Sequence, residues 1–550
     1  MCIRDSSLPA WRVSLNGALI ADIPASTEPI QVIRDVRLET VGVYRLSVQS
    51  ADGSITGTGN PILVENDPRR RIYWGDTHGH SGFAEGVGTP KRFMTWARDD
   101  ARLDYVTHSE HDIWLDDFEW EVLRNNIKTY SVDGEFVAFL GYEWTIRNTQ
   151  GGHHNVLFRS PEGRNRVPAR THGTLSKLYQ GLRTQHDPAD VVVIPHAHQA
   201  GDYRLNDPLL EPLIEVMSQH GTFEWFGRMY LKQGHQVGFT AASDNHLSQP
   251  GYTAPKGGSL SQRGGLGALR ALQKSRDTLF DAMKDLASYA TTGDRMILDV
   301  SLNGVEMGQR ARFSKERKIR GRIVGTGPID TITILRNDKA VWTRDYLQDN
   351  AKRPSSSGTF HVTFQSDSEP RNPGDNPRGW RLWQGTLRLT GATLTEVSGT
   401  DFHNTNLQSL KVLDNRTLEF STHTRGDTSS IVLNLADIRR SGRIDIELAE
   451  AREFGGAPPI FRAPQNIPAA SVTLAFGAIK DGRVTTSLVQ DDYVDTISLR
   501  SVVTDGPDDV EFEFDDQGNG HGDYYYVRVL QANDALAWSS PIWVGGYPKR

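Results

Sequence analysis

Two histidines one residue apart, His78 and His80 in RIYWGDTHGHS, follow a short apolar run and have Asp76 just before them. In an extended chain, residues two apart point to the same side. Both imidazoles and the carboxylate can therefore face one point, which is how a strand end presents metal ligands. The pattern recurs. LDYV is followed by His108, Glu110 and His111, EFVAFLGY by Glu143, VVVIP by His196 and His198, LIEVMSQ by His220, and VGFTAAS by Asp244 and His246. Of 17 histidines, 13 fall between His78 and His246, where even scattering would place about five. A lone histidine after a strand is ordinarily a hydrogen-bonded loop residue, and that reading is kept for His172, His186 and His235. Six such endings in order point instead to a metal site.

Imidazole nitrogen with carboxylate oxygen, and no sulfur, favours Zn²⁺, Mn²⁺ or Fe²⁺ over soft metals. A catalytic zinc takes about three protein ligands and keeps one position open. The candidates here exceed that number, so two or three divalent ions are expected. His153 and His154 in GGHHNVLF precede a strand rather than follow one. His154 is carried as ligand or support, and Glu110 either touches metal or orients His111.

These residues need elements to position them. Between residues 68 and 300, short apolar runs alternate with helix-like segments such as FEWEVLRNNIKTY and SRDTLFDAMKDLASY, which predicts a parallel α/β sheet or barrel. In a parallel barrel the residues after each strand gather at one rim. Ligands scattered along the chain then converge. Residues 1–67 alternate like a small antiparallel β region that is read as truncated, and 301–550 like one or two β-sandwich-like domains. A polar stretch, NAKRPSSSGTF through SEPRNPGDNPRGW, is expected to be a long loop.

The length of 550 residues allows three or four domains and ample core. A net charge of -7 and a pI near 6.2 carry no footprint for nucleic acid or an anionic membrane. The single cysteine, Cys2, excludes a disulfide framework and a thiolate metal site. No apolar run approaches the roughly 18 residues that a membrane span needs. Met1 to Ser6, MCIRDS, resembles a translated adapter. On that reading an export signal would be missing, and a periplasmic or secreted location stays open.

The motifs also carry a resemblance. GDTHGHS resembles the first motif of the polymerase and histidinol phosphatase (PHP) superfamily of metal-dependent phosphoesterases, and DYVTHSEHD its second. Glu143 in LGYEW, His196 in VIPHAH, and Asp244 with His246 in AASDNH fall where that superfamily places later ligands. More closely, WGDTHGHSGFAEG, GYEWT, GGHHNVLF, SDNH, SYATTGDRM and AWSSPIWV are similar to the family catalogued as domain of unknown function 3604. The resemblance covers the central region and, more loosely, the β-rich C-terminal half. It implies an α/β fold with a distorted (β/α)7 TIM-like barrel flanked by the β-rich regions, and a two- or three-metal site. The second motif has Glu110 where the superfamily usually has Asp. Gly79 and Phe83 replace the usual neighbours in the first, so the pocket is expected to differ in shape.

Metal ions about 3.5–4 Å apart activate water and hold a phosphoryl oxygen, so phosphoester hydrolysis of a small phosphorylated substrate is the expected reaction. His78, His80, Glu143 and Asp244 are expected to share or bridge the ions and carry catalysis. Glu110, His111, His154, His196, His220 and His246 complete the ligand set. Asp76 falls where the superfamily has a supporting Asp. Arg147, Arg204 and Arg228, near ligand segments in sequence, are candidate phosphate cations. Two alternatives stay open. One is an amidohydrolase-like enzyme acting on amides or lactones, disfavoured because Glu143 stands where a bridging lysine would be. The other is a non-catalytic, metal-stabilised binding protein whose β regions do the binding.

Overall fold

The computed structural model of the protein describes residues 8–28, 30–251, 263–347, 356–400, 402, 404–455, 459–479, 482–502, 506–518 and 520–546. The adapter-like Met1–Ser6 lies outside them. The α/β region begins with β1 (Arg71–Asp76), α1 (Pro90–Thr95), β2 (Tyr105–His108), α2 (Asp117–Tyr130) and β3 (Val137–Trp144). It continues through β4 (His154–Phe158), α3 (Leu175–Gln185), β5 (Val191–Pro195), β6 (Leu213–Glu215) and α4 (Glu224–Lys232). It ends with β7 (Gly238–Thr240), β8 (Leu266–Ala271), α5 (Arg276–Lys284) and β9 (Ser288–Thr291).

The helices start where the sequence supplies caps. Thr89, Asp116, Thr174 and Ser275 each accept a hydrogen bond from the backbone N–H three residues on, and Asp116 with Glu119 completes a capping box. All eight residues of β3 are buried, so it has apolar contacts on both faces. Val137 and Phe139 meet Tyr73, Tyr105, Leu157, Val192, Ile194 and Leu213 on the inner face. Ala138, Leu140, Tyr142 and Trp144 pack outward against Leu123, Val156, Phe158 and Leu182. Each such large side chain contributes about 1.5–3 kcal/mol.

Strand direction departs from a regular parallel repeat. β1, β2 and β3 are parallel, as are β6 and β7, which pair apart from the main sheet. β4 runs antiparallel to both β3 and β5, β8 antiparallel to β1, and β9 antiparallel to β8. The result is a mixed α/β arrangement. Beyond β9 the same sheet continues through Leu536–Ser539, Asp523–Gln531, Ile329–Arg336 and Lys339–Asp345. Hydrogen bonding therefore crosses residue 300, where composition changes.

Residues 8–64 contribute a four-stranded antiparallel sheet and a two-stranded pair. Two five-stranded antiparallel sheets formed between residues 357 and 502 share one core, with Phe360, Val362 and Phe364 meeting Trp383, Leu387 and Phe420. The expected long loop is corrected in part. Residues 350–355 lie outside the described residues, and Ser357–Gln365 is an internal strand whose threonines bond across the ladder while its phenylalanines fill the core. Residues 366–380 are largely irregular. Among the described residues no helix is long and apolar enough to cross a membrane.

Candidate metal centre

The inner face of β3, β5 and β6 is apolar until the strand's end, and there it turns to histidine or carboxylate. On β3, Val137 and Phe139 are followed at the same parity by Glu143. On β5, Ile194 is followed by His196, and on β6, Leu213 by Glu215. β8 runs the other way, and neither it nor β9 supplies a ligand atom to the groups below.

Eight histidines and three carboxylates meet here, in five groups, within each of which the ligand atoms lie within 4.8 Å of one another; four of the groups share members. Glu143 is one hub. Its Oε1 lies 2.5 Å from His153 Nδ1 and 3.0 Å from His196 Nε2. Its Oε2 lies 3.3 Å from His78 Nε2, 3.4 Å from His80 Nε2 and 3.1 Å from His111 Nδ1. Asp244 is the other hub. Its Oδ1 lies 3.1 Å from His80 Nε2 and 3.3 Å from His78 Nε2, and its Oδ2 lies 2.9 Å from His220 Nε2 and 3.6 Å from His198 Nδ1. Glu215 Oε2 lies 3.1 Å from the other nitrogen of His78. His246 closes the His80–His111 side, its ring 4.4 Å from that of His80.

The backbone is braced to hold this. Asp76 Oδ1 accepts from the backbone N–H of His78 at 3.1 Å and of Ser243 at 3.0 Å, and its Oδ2 from Gly251 at 2.7 Å. It thus ties the His78 turn to the Asp244 turn and is absent from the ligand groups. Asp244 itself sits at φ 53°, a left-handed conformation uncommon for a non-glycine residue.

Charge in the centre is unevenly shared. Burial pushes the Glu143 carboxyl up, but His111 and His153 outweigh it and hold it well below the ordinary value. At Asp244 burial is likewise outweighed, by His78 and His220. Burial pulls His196 down to about 3, His246 to about 3 and His198 well below 6.5. These rings are neutral and carry a free lone pair, the form that binds metal. Burial raises Glu215 to about 7 against the pull of His78.

Residues 90–202 match the family model described as "Protein of unknown function (DUF3604)". That segment carries His111, Glu143, His153, His196 and His198, whereas His78, His80, Glu215, His220, Asp244 and His246 lie outside it. The chain is 21% identical over 334 residues to an uncharacterized protein of Chlamydia pneumoniae, covering 55% of this chain and 53% of that one. It is 23% identical over 336 residues to one of Chlamydia trachomatis, with the same coverage. The chain thus spans about half the length of the curated relatives it matches. Among solved structures, a two-domain protein of Bacteroides vulgatus described as containing a predicted PHP-like metal-dependent phosphoesterase matches with a TM-score of 0.32 and 12% identity. That match covers 75% of this chain and 98% of the other.

The donor set fits divalent cations. Nδ1 of His80, His196, His198 and His220 and Oδ2 of Asp244 are buried without a hydrogen-bond partner, a costly state for polar atoms that bind nothing. Eight of the ten expected site residues, His78, His80, His111, Glu143, His196, His220, Asp244 and His246, come together.

Two expected residues stand apart. His154 faces out because β4 is antiparallel: it pairs with outward-facing Trp144, its Nδ1 lies 3.0 Å from the carbonyl of Gly152, and its Nε2 lies 3.6 Å from Glu211. The antiparallel strand starts at the rim where β3 ends, so its preceding residue, His153, turns inward. Glu110 is engaged by Ser81 and by His108 Nε2 at 2.7 Å, and stays 3.9 Å from His80. It orients His108, not His111.

His153, His198 and Glu215 join the groups without having been in the expected set. Glu215 had a signal, a lone carboxylate two residues after Leu213 inside an apolar run. Glu85, half exposed, reaches His111 Nε2 at 3.1 Å. Of the candidate phosphate cations, Arg228 is paired with Asp338 and Glu369, and Arg204 with Asp202. Arg147 is exposed and forms no ion pair among the described residues.

Proposed function

We propose that the protein is a metal-dependent hydrolase of phosphoesters, built on a distorted PHP-type (β/α)7 barrel that binds two or three divalent ions of the Zn²⁺, Mn²⁺ or Fe²⁺ kind. The observation that carries this reading is the pair of buried hubs, Glu143 and Asp244, each shared among several imidazoles around one centre. Carboxylates in that position would be shared ligands of divalent ions held by the imidazoles around them.

His78, His80 and Glu143 would hold one ion, His198, His220 and Asp244 another, and His78, His196 and Glu215 or His111, Glu143 and His153 a third. When bound, such ions lower the pKa of water and offset charge on a phosphoryl oxygen. The chain does the rest. Asp76 fixes the relative height of the two ligand turns, buried β2 and β3 keep the lower wall dry, and Glu85 marks the side open to solvent. Arg147 is the cation for the phosphate group. β3 carries Glu143 next to its last residue and holds no lysine, which favours carboxylate bridging over the carbamate of amidohydrolases.

Elemental analysis of purified protein is expected to find at least two transition-metal ions per chain. A panel of phosphomonoesters, phosphodiesters, amides and lactones is expected to show turnover on a phosphoester. Absence of metal sinks the reading. Turnover of amides or lactones alone replaces the phosphoesterase with an amidohydrolase-type enzyme.

A further inference from the structure

His220 is carried on a small hairpin, in which Met217–Ser218 pairs with Gly221–Thr222. The ring of His220 stacks on His198 at 3.9 Å, and its Nε2 lies 2.9 Å from Asp244. Beside it, the Gln219 N–H donates to the carbonyl of Ser243 at 3.1 Å, while its side chain engages the Asp244 carbonyl and His246. One side of the hairpin tip therefore faces the centre.

The other side rests on the β-sandwich. Arg425, at the end of the strand Thr417–Thr424, is fully buried. Its NH1 donates to the carbonyl of His220 at 2.7 Å, its Nε to that of Arg378 at 2.6 Å, and its NH2 to that of Pro377 at 3.3 Å. The backbone joins in: Thr222 N–H donates to the carbonyl of Arg425 at 2.9 Å, and Ser368 Oγ donates to that of Thr222 at 2.9 Å while accepting from Trp225 Nε1 at 3.1 Å. There is no slack at this contact. A Cβ on Gly426, which lies at φ +83°, would overlap the Thr222 carbonyl, and one on Gly221, at φ +140°, would come within 2.9 Å of Arg425 Cδ.

A buried guanidinium is costly unless its donors are used. No carboxylate is bonded to this one among the described residues. Its donors go to three backbone carbonyls on two segments of chain, one of them that of a candidate ligand. A planar fork can bridge carbonyls this way, whereas a lysine reaches one point.

We propose that Arg425 is a positioning residue of the metal centre, through which the β-sandwich sets His220 for the ion held by His198, His220 and Asp244. This rests on the metal-site reading above and gives the C-terminal β region a part in it. The consequence is selective: loosening Arg425 weakens one ion and leaves those on Glu143 in place.

The test is a Zn²⁺ titration of the full chain against a chromophoric chelator, for wild type, Arg425→Lys and Ser368→Ala. Support for a ligand from behind is worth about 10- to 100-fold in metal affinity. Arg425→Lys is expected to lose that much for one ion only. Ser368→Ala removes two hydrogen bonds, to the Thr222 carbonyl and from Trp225 Nε1, leaves the arginine, and is expected to lose about five-fold for the same ion. If Arg425→Lys is insoluble, Ser368→Ala decides. Wild-type affinity for every ion, even with earlier melting, or equal weakening of all ions, overturns the proposal. A wild-type chain that takes up no zinc overturns instead the reading of the centre itself.

Discussion

The β-sandwich and the α/β region each bury a dense knot of charged side chains, and the two are resolved in opposite ways. In the sandwich, both oxygens of Asp495 are taken by Arg378 and Arg381, and both oxygens of Glu453 by Arg378 and Arg462, at 2.6–3.1 Å. In the centre near β3, Glu143 and Asp244 are surrounded by imidazoles that outnumber the carboxylates, and four of the ring nitrogens and Asp244 Oδ2 are buried without a hydrogen-bond partner. Burying charge is expensive in both places. The sandwich offsets that cost with opposite charge and leaves no ligand atom over. The centre leaves ring nitrogens over, which is what a cation would use. Burial and polarity are common to both; the leftover donors separate them.

The largest effect that could break this contrast is at the centre. His78→Ala and His246→Ala are expected to lower phosphoester turnover by at least about 10³-fold and to reduce bound metal, with the fold retained. Retained metal and activity, read by elemental analysis and steady-state assay, would make the centre as inert as the sandwich knot.

Arg378→Met addresses the other knot. It removes one of the two arginines on each of two buried carboxylates, Asp495 and Glu453, and is expected to cost about 3 kcal/mol of stability in urea unfolding. Metal per folded chain should not change. Loss of metal here would merge the two clusters into one functional unit.

A third buried group sharpens the comparison, since it has neither an opposite charge nor surplus donors. Glu211 contacts Tyr179, Asn206 and His154, and burial raises its carboxyl to about 8 from 4.5. The folded form thus holds a proton that the unfolded chain releases. The sign follows: the contribution is fully present below pH 4.5, declines as pH rises, and is lost above about 8. Wild type is expected to lose on the order of 4 kcal/mol across that window relative to Glu211→Gln. Parallel pH profiles of the two proteins would show that Glu211 is ionised in the folded state.

The smallest expected effect is at His154. His154→Gln should leave bound metal and turnover near wild type, because its ring points away from Glu143. A drop in metal content would return His154 to the ligand set in place of His153.

Much of the centre was legible in the sequence. Parity along extended strands places His78 with His80 and sets Glu143 on the face of Val137 and Phe139, and the strand endings named eight of the residues that meet in the centre. Glu215 was legible by the same rule and was passed over inside LIEVMSQ. His153 against His154 could not be decided, because the choice depends on whether β4 runs parallel or antiparallel to β3. The stretch Ser357–Gln365 was read as loop because its serine, threonine and glycine content hides a three-residue apolar face. The match of residues 90–202 to DUF3604 bears out the resemblance read from GYEWT and GGHHNVLF.

What the sequence determined by itself is chemistry and phase: which residue types end each apolar run, and which of them share a side, since both follow from bonds and dihedrals within a few residues. What only the tertiary structure decided is direction and support. Strand orientation, the inward turn of His153, the outward turn of His154, and the seating of His220 on Arg425 depend on segments up to 205 residues apart. Such contacts are settled by packing of the whole chain, and no local pattern of residues encodes them.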